Sequence, residues 1–402
     1  MRLPLVMSII ALLLGILIDI YIYRSIPKTK RALPRLIYCI SAILTLGLLI
    51  VVFMLPKRDT NTELRPVMWL LYTWTSIYIS KYIYGLFLAI SSIPRLYGHK
   101  RWPMYKYVGL PAAIICFGTM WWGVLYGRYD IAVSEITVNS KRLPASFDGI
   151  KIAQFSDAHV GTWGQDTTFV TNLVNKINAL NPDIIVFTGD IVNRKTDEIL
   201  PFVNILKRLK APLGVYSVMG NHDYGDYTDW PDEQAHAADT RQLRAIQTGM
   251  GWNLLCNTHK FIYSAQGDSI AMIGVENWGE PPFKQYGDLK KAYPTANKIG
   301  DNNFKILLSH NPMHWHNEVR EYTDIDLTLS GHTHAMQVLI GGIGTGFTPS
   351  SWRYPEWGGL YTHEGADGSV RNLYVNIGCG EVAIPARIGA SPEITLITLH
   401  SK

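Results

Sequence analysis

The sequence predicts an N-terminal four-helix transmembrane region followed by an α/β domain. Three observations predict it. Four long apolar stretches fill the first third of the 402 residues. Beyond them, short apolar strands alternate with amphipathic helical patterns. The charge divides at the same place. Residues 1–128 hold 15 Lys/Arg against 3 Asp/Glu, a net of +12; the remainder holds 22 against 29, a net of −7. The whole chain is 48% hydrophobic and 17% charged, against about 25% charged for an average soluble domain. That composition excludes a disordered chain, and the local charges exclude a nucleic-acid partner. The expected division is residues 1–128 for the spans, 129–147 for a connecting strand and linker, and 148–402 for the α/β domain.

The apolar stretches run over about 3–23, 36–55, 67–93 and 108–126. Each approaches or exceeds the ~20 residues a bilayer-spanning helix needs. Orientation follows from Lys and Arg in the short loops. Arg24, Lys28, Lys30, Arg31 and Arg35 follow the first stretch, and Arg95, Lys100, Arg101 and Lys106 follow the third. The other side has Arg2, Lys57, Arg58, Arg65 and Arg128. Nine against five predicts that the loops after the first and third stretches are cytoplasmic. The α/β domain is then extracytoplasmic, on a bacterial inner or plasma membrane. Asp19 and Lys81 fall within spans, where ionisable groups are costly. They either mark a function, or Asp19 lies near a headgroup region while Lys81 snorkels or pairs with it.

The alternating stretch Ile131–Val138 reads as a strand, and so do Ile150–Phe155, Ile184–Thr188, Gly214–Met219, Lys305–Ser309 and Ile325–Ser330. Thr167–Leu180 and Ile199–Leu209 read as helices. This alternation argues for a layered α/β fold. The four cysteines, Cys39, Cys116, Cys256 and Cys379, form no CxxC pair, so neither a disulfide framework nor a cysteine zinc site is expected.

The chemistry sits at the strand ends, where α/β sheets place their ligands. Five strands run into Asp157-Ala-His159, Gly189-Asp190, Gly220-Asn221-His222-Asp223, His310, and Gly331-His332-Thr-His334. Intervals of 33, 31, 89 and 22 residues separate Asp157, Asp190, Asn221, His310 and His332. Each leaves room for a crossover. Two Asp, one Asn and four His are hard or borderline O and N donors without a thiolate. The set reads as a two-metal site. Two cations about 3.5–4 Å apart clamp both oxygens of an in-line displacement, and phosphate esters suit such a clamp.

This ordered set resembles the calcineurin-like metallophosphoesterase superfamily, whose pattern is DxH, GD, GNH(D/E), a lone His, and GHxH. The resemblance covers roughly residues 148–400. The tail, Leu373–Gly380, Ile384-Pro-Ala-Arg-Ile388 and Pro392–Leu399, is similar to the membrane-associated YkuE/YaeI-like branch. The resemblance implies a four-layer αββα sandwich and two divalent metal ions of Mn, Fe or Zn type. It implies one metal on Asp157, His159, Asp190 and His334, and the other on Asp190, Asn221, His310 and His332. It gives His222 the protonation of the leaving oxygen, worth about 10²–10⁴-fold. Asp223 would orient His222 or serve as an ordinary turn carboxylate. Arg387 would hold a phosphate, since guanidinium matches phosphate geometry, or make a surface ion pair. Ala335-Met336-Gln337 stands where this branch usually has Gly-Gly-Gln. Tyr224–Thr240, Trp278–Asn302 and Gly341–Tyr361 are long stretches of the kind that form binding walls or variable surface.

The expected function is a membrane-anchored phosphoesterase acting on an amphiphilic phosphate ester or pyrophosphate, with membrane lipids as its partners. A UDP-diacylglucosamine-type pyrophosphatase of lipid A synthesis is one alternative; those enzymes need a cytoplasmic active site, which the orientation opposes. A non-catalytic scaffold, or a sensor or transport module with a regulatory phosphoesterase fold, is another.

Overall fold

The computed structural model describes residues 5–27, 32–56, 58–60, 63–281, 284–294, 303–365 and 368–402. Arg2, Lys28, Lys30, Arg31 and Lys57 of the orientation count lie outside the described residues, as do 282–283 and 295–302 of the Trp278–Asn302 stretch. The chain divides into two compact units, residues 1–125 with 383–386, and residues 126–382 with 387–402.

The first unit contains α1 (Leu5–Ser25), α2 (Leu33–Met54), α3 (Arg65–Ser92) and α4 (Leu110–Leu125). Pro34 and Pro66 sit in the first turns of α2 and α3, where a missing N–H costs nothing. Among the described residues, Leu33–Met54, Arg65–Tyr97 and Tyr105–Tyr129 are long and apolar enough to cross a membrane. With 21 residues, α1 is about 31 Å long at ~1.5 Å per residue. Its Asp19 is buried and paired. Lys81 Nζ of α3 lies 2.8 Å from Asp19 Oδ1, and the hydroxyls of Tyr38 and Tyr78 each donate to the carboxylate at 2.7 Å. The pairing expected for Lys81 is therefore present. It draws three helices onto one charge.

The second unit is an α/β sandwich of two six-stranded mixed sheets. One has β1 (Ala132–Ser140), β2 (Lys151–Phe155), β3 (Ile184–Phe187), β4 (Val215–Ser217), β5 (Asn253–Leu254) and β12 (Glu393–Ser401), in the order β1-β12-β2-β3-β4-β5. The other has β6 (Thr258–Tyr263), β7 (Ser269–Gly274), β8 (Lys305–Leu308), β9 (Leu327–Ser330), β10 (Gly359–Glu364) and β11 (Val370–Val375), in the order β10-β11-β9-β8-β7-β6. Between them lies one core, with Ile152, Ile184 and Val186 in the same cluster as Met272, Ile306 and Leu329. The outer face of the first sheet packs α5 (Thr168–Ala179) and α7 (Glu233–Gly249) through Leu173, Ile177 and Leu243. That of the second packs Trp315 and Val319, flanked by the short α8 (Leu289–Ala292) and α9 (Arg320–Tyr322). Strands buried on both faces need continuous apolar runs, as Ile184–Phe187 is.

Two expectations change. Ile199–Leu209 is not one helix: a 3₁₀ segment, Thr196–Phe202, leads into a one-turn α6 (Val203–Leu206). Pro201 inside it removes a helical N–H. The polar stretch Tyr224–Thr240 is not all loop, because α7 begins at Glu233. Its cap is Asp232, whose side chain accepts from the Ala235 N–H at 2.7 Å.

Removing the charge that α1 contributes should loosen the first unit. Asp19→Ala leaves Lys81 and two phenols facing an apolar bundle; breaking a buried pair costs about 3 kcal/mol or more. The melting temperature of the detergent-purified protein, followed by circular dichroism, should fall clearly, and an unchanged melt would remove the network from the account of stability.

Candidate metal centre

Parallel pairing sets where the site forms. β2, β3 and β4 run parallel, as do β8 and β9, so the C-terminal ends of each set lie together. Asp157, Asp190 and Asn221 leave the first sheet, and His310 and His332 leave the second.

All seven expected ligands converge. Asp157 Oδ1 lies 3.1 Å from His334 Nε2, and His334 Nε2 lies 3.2 Å from His159 Nε2. On the other side, His310 Nε2 lies 3.1 Å from Asn221 Oδ1 and 3.2 Å from His332 Nδ1. Asp190 Oδ2 stands between the groups, 3.1 Å from His310 Nε2 and 3.6 Å from His159 Nε2. The triads Asp157–His159–His334 and Asp190–His310–His332 each bring ligand atoms within 4.8 Å of one another. A third such triad joins His222 to His159 and Asp190.

The backbone is bent hard to achieve this. Asp157, His159, Asp190, His332 and His334 all have φ between 40° and 75°, a region that costs a non-glycine residue about 1–2 kcal/mol. The left-handed run continues through Ala335 (φ 48°), Met336 (φ 45°) and Gln337 (φ 60°). This explains why the branch usually places glycine here; Ala335 and Met336 hold the same turn under strain. Thr348 Oγ1 donates to the Ala335 carbonyl, and the Val382 N–H donates to Gln337 Oε1. Gly331 is needed for a different reason. A Cβ there would stand 2.3 Å from Asp157 Oδ2.

Electrostatics favour a cation. Burial raises the Asp157 carboxyl, but His334 and His310 hold it below the usual carboxylate range. Asp190 behaves likewise, with His310 and His222 overcoming burial. Burial pushes His159 and His222 down, and burial with His310 takes His332 down to about 3. Burial lowers His310 too, yet Asp190 lifts it to about 9. Two charged carboxylates thus face mostly neutral imidazoles, and one proton compensates them. Like nitrogens 3.2 Å apart suit divalent cations better than a proton. The residues present fit such ions.

His222 is fixed by Asn193, whose carbonyl lies 2.7 Å from His222 Nδ1. With Nδ1–H donating there, Nε2 is left to hold or release a proton. Asp223 does not orient this ring. Its carboxylate accepts the N–H groups of Asp190 (2.8 Å), Gly220 (2.9 Å), Ile191 (2.8 Å) and Val192 (3.3 Å). Burial and the Asp190 charge push Asp223 up to about 7, so its charged form rests on those four donors. Arg387 departs from both of its expected roles. It is 1% exposed, and its guanidinium donates to the carbonyls of Ile377, Gly380 and Ala390. It lies 3.4 Å from His334 Nδ1. The tail turn it braces clasps the Asp157 segment, with the Cys379 and Gly380 N–H groups donating to Ser156 and Asp157 carbonyls at 2.9 and 2.7 Å.

Two tyrosines complete the rim. Asn221 Nδ2 donates to the Tyr227 hydroxyl, and His332 Nε2 meets the Tyr354 hydroxyl, both at 2.9 Å. Both fall in stretches expected as possible walls, Tyr227 in Tyr224–Thr240 and Tyr354 in Gly341–Tyr361, although no motif spacing announces Tyr227. Arg353 joins Glu280 at 2.8 Å, which ties two of the three long stretches together.

Residues 150–336 match the family profile of calcineurin-like phosphoesterases, and residues 1–128 match that of a probable calcineurin-like phosphoesterase transmembrane domain. The metallophosphoesterase YkuE of Bacillus subtilis is 32% identical over 292 residues, 69% of this chain and 90% of that protein. A transmembrane protein with metallophosphoesterase domain from Danio rerio is 29% identical over 285 residues, and the match spans 68% of this chain and 60% of the Danio protein. The UDP-2,3-diacylglucosamine pyrophosphatase LpxG of Chlamydia muridarum is 26% identical over 276 residues, 59% of this chain and 80% of that protein. The chain belongs to the calcineurin-like metallophosphoesterases. It is a membrane metallophosphoesterase, a metal-dependent hydrolase of phosphoric esters.

The four-donor role of Asp223 has a direct check. In Asp223→Asn, an amide keeps one acceptor and turns two donors toward backbone N–H groups; unmet buried donors cost about 1–3 kcal/mol each. A clearly lower melting temperature is expected, and an unshifted melt would refute the role.

Proposed function

We propose that this protein hydrolyses a phosphate ester or pyrophosphate bond of a lipid or lipid-linked substrate. Asp157, His159, Asp190 and His334 hold one divalent ion, and Asp190, Asn221, His310 and His332 hold a second, with Mn, Fe or Zn all compatible with the O and N donors. The observation that carries this assignment is Asp190 Oδ2, standing within 3.6 Å of a nitrogen from each group. When bound, such ions make a nucleophile from water near neutral pH and stabilise developing negative charge. The chain's own residues do the rest. Asp190 Oδ1 accepts the His222 N–H at 2.8 Å, which fixes that residue beside the centre. The Asn193 carbonyl selects the tautomer, and His222 Nε2 delivers a proton to the departing oxygen.

An amphiphilic substrate is supported by the spans and by an exposed apolar hairpin near the site. Ile340 and Phe347 pair through two backbone hydrogen bonds of 2.9 Å, so their side chains share a face. Trp352 packs against Phe347 with ring centroids 6.1 Å apart. The three are 69%, 52% and 80% exposed, and an exposed apolar patch marks a contact surface. The similarity to LpxG favours a second reading, a nucleotide-linked diacylglucosamine pyrophosphate as substrate. Against it stands the Lys/Arg count, which supports an extracytoplasmic domain on a bacterial inner or plasma membrane.

Detergent-purified protein with Mn²⁺ should hydrolyse bis(p-nitrophenyl) phosphate and also a phosphorylated lipid presented in vesicles. Phe347→Ser with Trp352→Ser should cut vesicle hydrolysis about a hundredfold or more, since each buried aromatic is worth roughly 1.5–3 kcal/mol and about 1.4 kcal/mol is tenfold, and spare the soluble ester. Equal loss on both substrates would count against the lipid reading, and turnover of UDP-diacylglucosamine alone would select the second reading. For orientation, a reporter active only in the cytoplasm, fused after Lys402, should stay silent; a strong signal would reverse the assignment.

A further inference from the structure

The site residues divide by exposure. Asp157, His159, Asp190, His310 and His334 are buried, while Asn221, His222, His332, Tyr227 and Tyr354 are only half-buried. A substrate therefore reaches the centre past the second group. Asn221 and His332 each have an inner and an outer atom. Their inner atoms, Asn221 Oδ1 and His332 Nδ1, lie 3.1 and 3.2 Å from His310 Nε2. Their outer atoms, Asn221 Nδ2 and His332 Nε2, meet the hydroxyls of Tyr227 and Tyr354 at 2.9 Å. With the Nδ1 lone pair of His332 turned inward, Nε2 carries the hydrogen and donates to Tyr354. Each phenol thus accepts one bond and keeps its own O–H, and no described residue accepts from either hydroxyl. A phenol is protonated at neutral pH.

The tyrosines come from different segments, yet the two residues they hold, Asn221 and His332, both meet His310 Nε2, at 3.1 and 3.2 Å. The Tyr227 ring packs on His222 at 4.4 Å between centroids, so its hydroxyl is positioned beside the group assigned to the leaving oxygen. Resting on the phosphoesterase reading proposed above, we propose that Tyr227 and Tyr354 form a donor pair that binds oxygens of the substrate phosphoryl group at the half-open rim. The hydrogen each phenol has to spare goes to a phosphoryl oxygen. This makes both tyrosines catalytic residues in addition to the metal-centre set.

The test uses the full-length, metal-loaded protein in detergent, with Tyr227→Phe, Tyr354→Phe and the double variant. Hydrogen bonds to charged groups are worth enough that each single change should lower kcat/KM on bis(p-nitrophenyl) phosphate roughly ten- to a hundredfold. The inhibition constant of inorganic phosphate should rise about tenfold. Mn²⁺ affinity, titrated calorimetrically into the metal-stripped protein, should stay within about twofold, and the melting temperature should hold. Unchanged phosphate inhibition in both variants would overturn the proposal. A fall in Mn²⁺ affinity large enough to account for the lost activity would also overturn it, because the phenols would then only position Asn221 and His332. Should Tyr227→Phe fail to fold, Tyr354→Phe carries the same three readouts by itself.

Discussion

A single carboxylate, that of Asp190, ties the centre together. One oxygen lies between His159 and His310, the other takes the His222 N–H, and the residue's own N–H goes to Asp223. A group used on three sides cannot turn without disturbing all of them. Its position in turn needs a left-handed backbone at φ 62° directly after a glycine. Gly189 is indispensable there, because a Cβ would meet the Gly220 backbone nitrogen at 2.6 Å and His310 Nδ1 at 2.9 Å. The loops from two sheets touch at that point with no space between them.

Strain of this kind persists only where surroundings over-determine it. Asp223 supplies one set of restraints, gathering four N–H groups from the loops that carry Asp190 and Asn221. Arg387 supplies another, gathering carbonyls from the tail. Each touches a ligand residue, Asp223 at the Asp190 N–H and Arg387 at His334 Nδ1, and both are buried charges whose cost is met by hydrogen bonds. The Asp19 network in the first unit follows the same rule. In each case an ionisable group is kept because several partners from separate segments converge on it.

This convergence explains what could be read from the sequence. The spans, the alternation of strands and helices, and the ligand motifs were legible because each is local: an apolar run, a period, or a short motif at a strand end. The second sheet's edge strands and the cap at Asp232 were less so, since polar stretches with turn residues hide short elements. Of its two expected roles Asp223 takes that of a turn carboxylate, and Arg387 takes neither of its two, for one reason. Their types suggested chemistry or surface, and an arginine is almost never fully buried unless paired. Only the path of the tail past Ser156 and Asp157 reveals three carbonyls in need of donors. Tyr227 was illegible because its partner choice depends on how the segment after His222 folds back over that ring.

The order of strands has a consequence for how the chain is made. β12 lies between β1 and β2, parallel to one over nine residue pairs and antiparallel to the other. It is also the last described strand to be synthesised. From Ser140 to Glu393, β1 waits while some 250 residues emerge, roughly 12–50 s at a synthesis rate of about 5–20 residues per second. During that interval β1 has no neighbour and β2 has an open edge, and open edges are templates for wrong pairing. The nascent chain is thus most exposed to misassembly while its membrane helices are already complete. A ribosome that stops short of residue 393 leaves the first sheet without an interior strand.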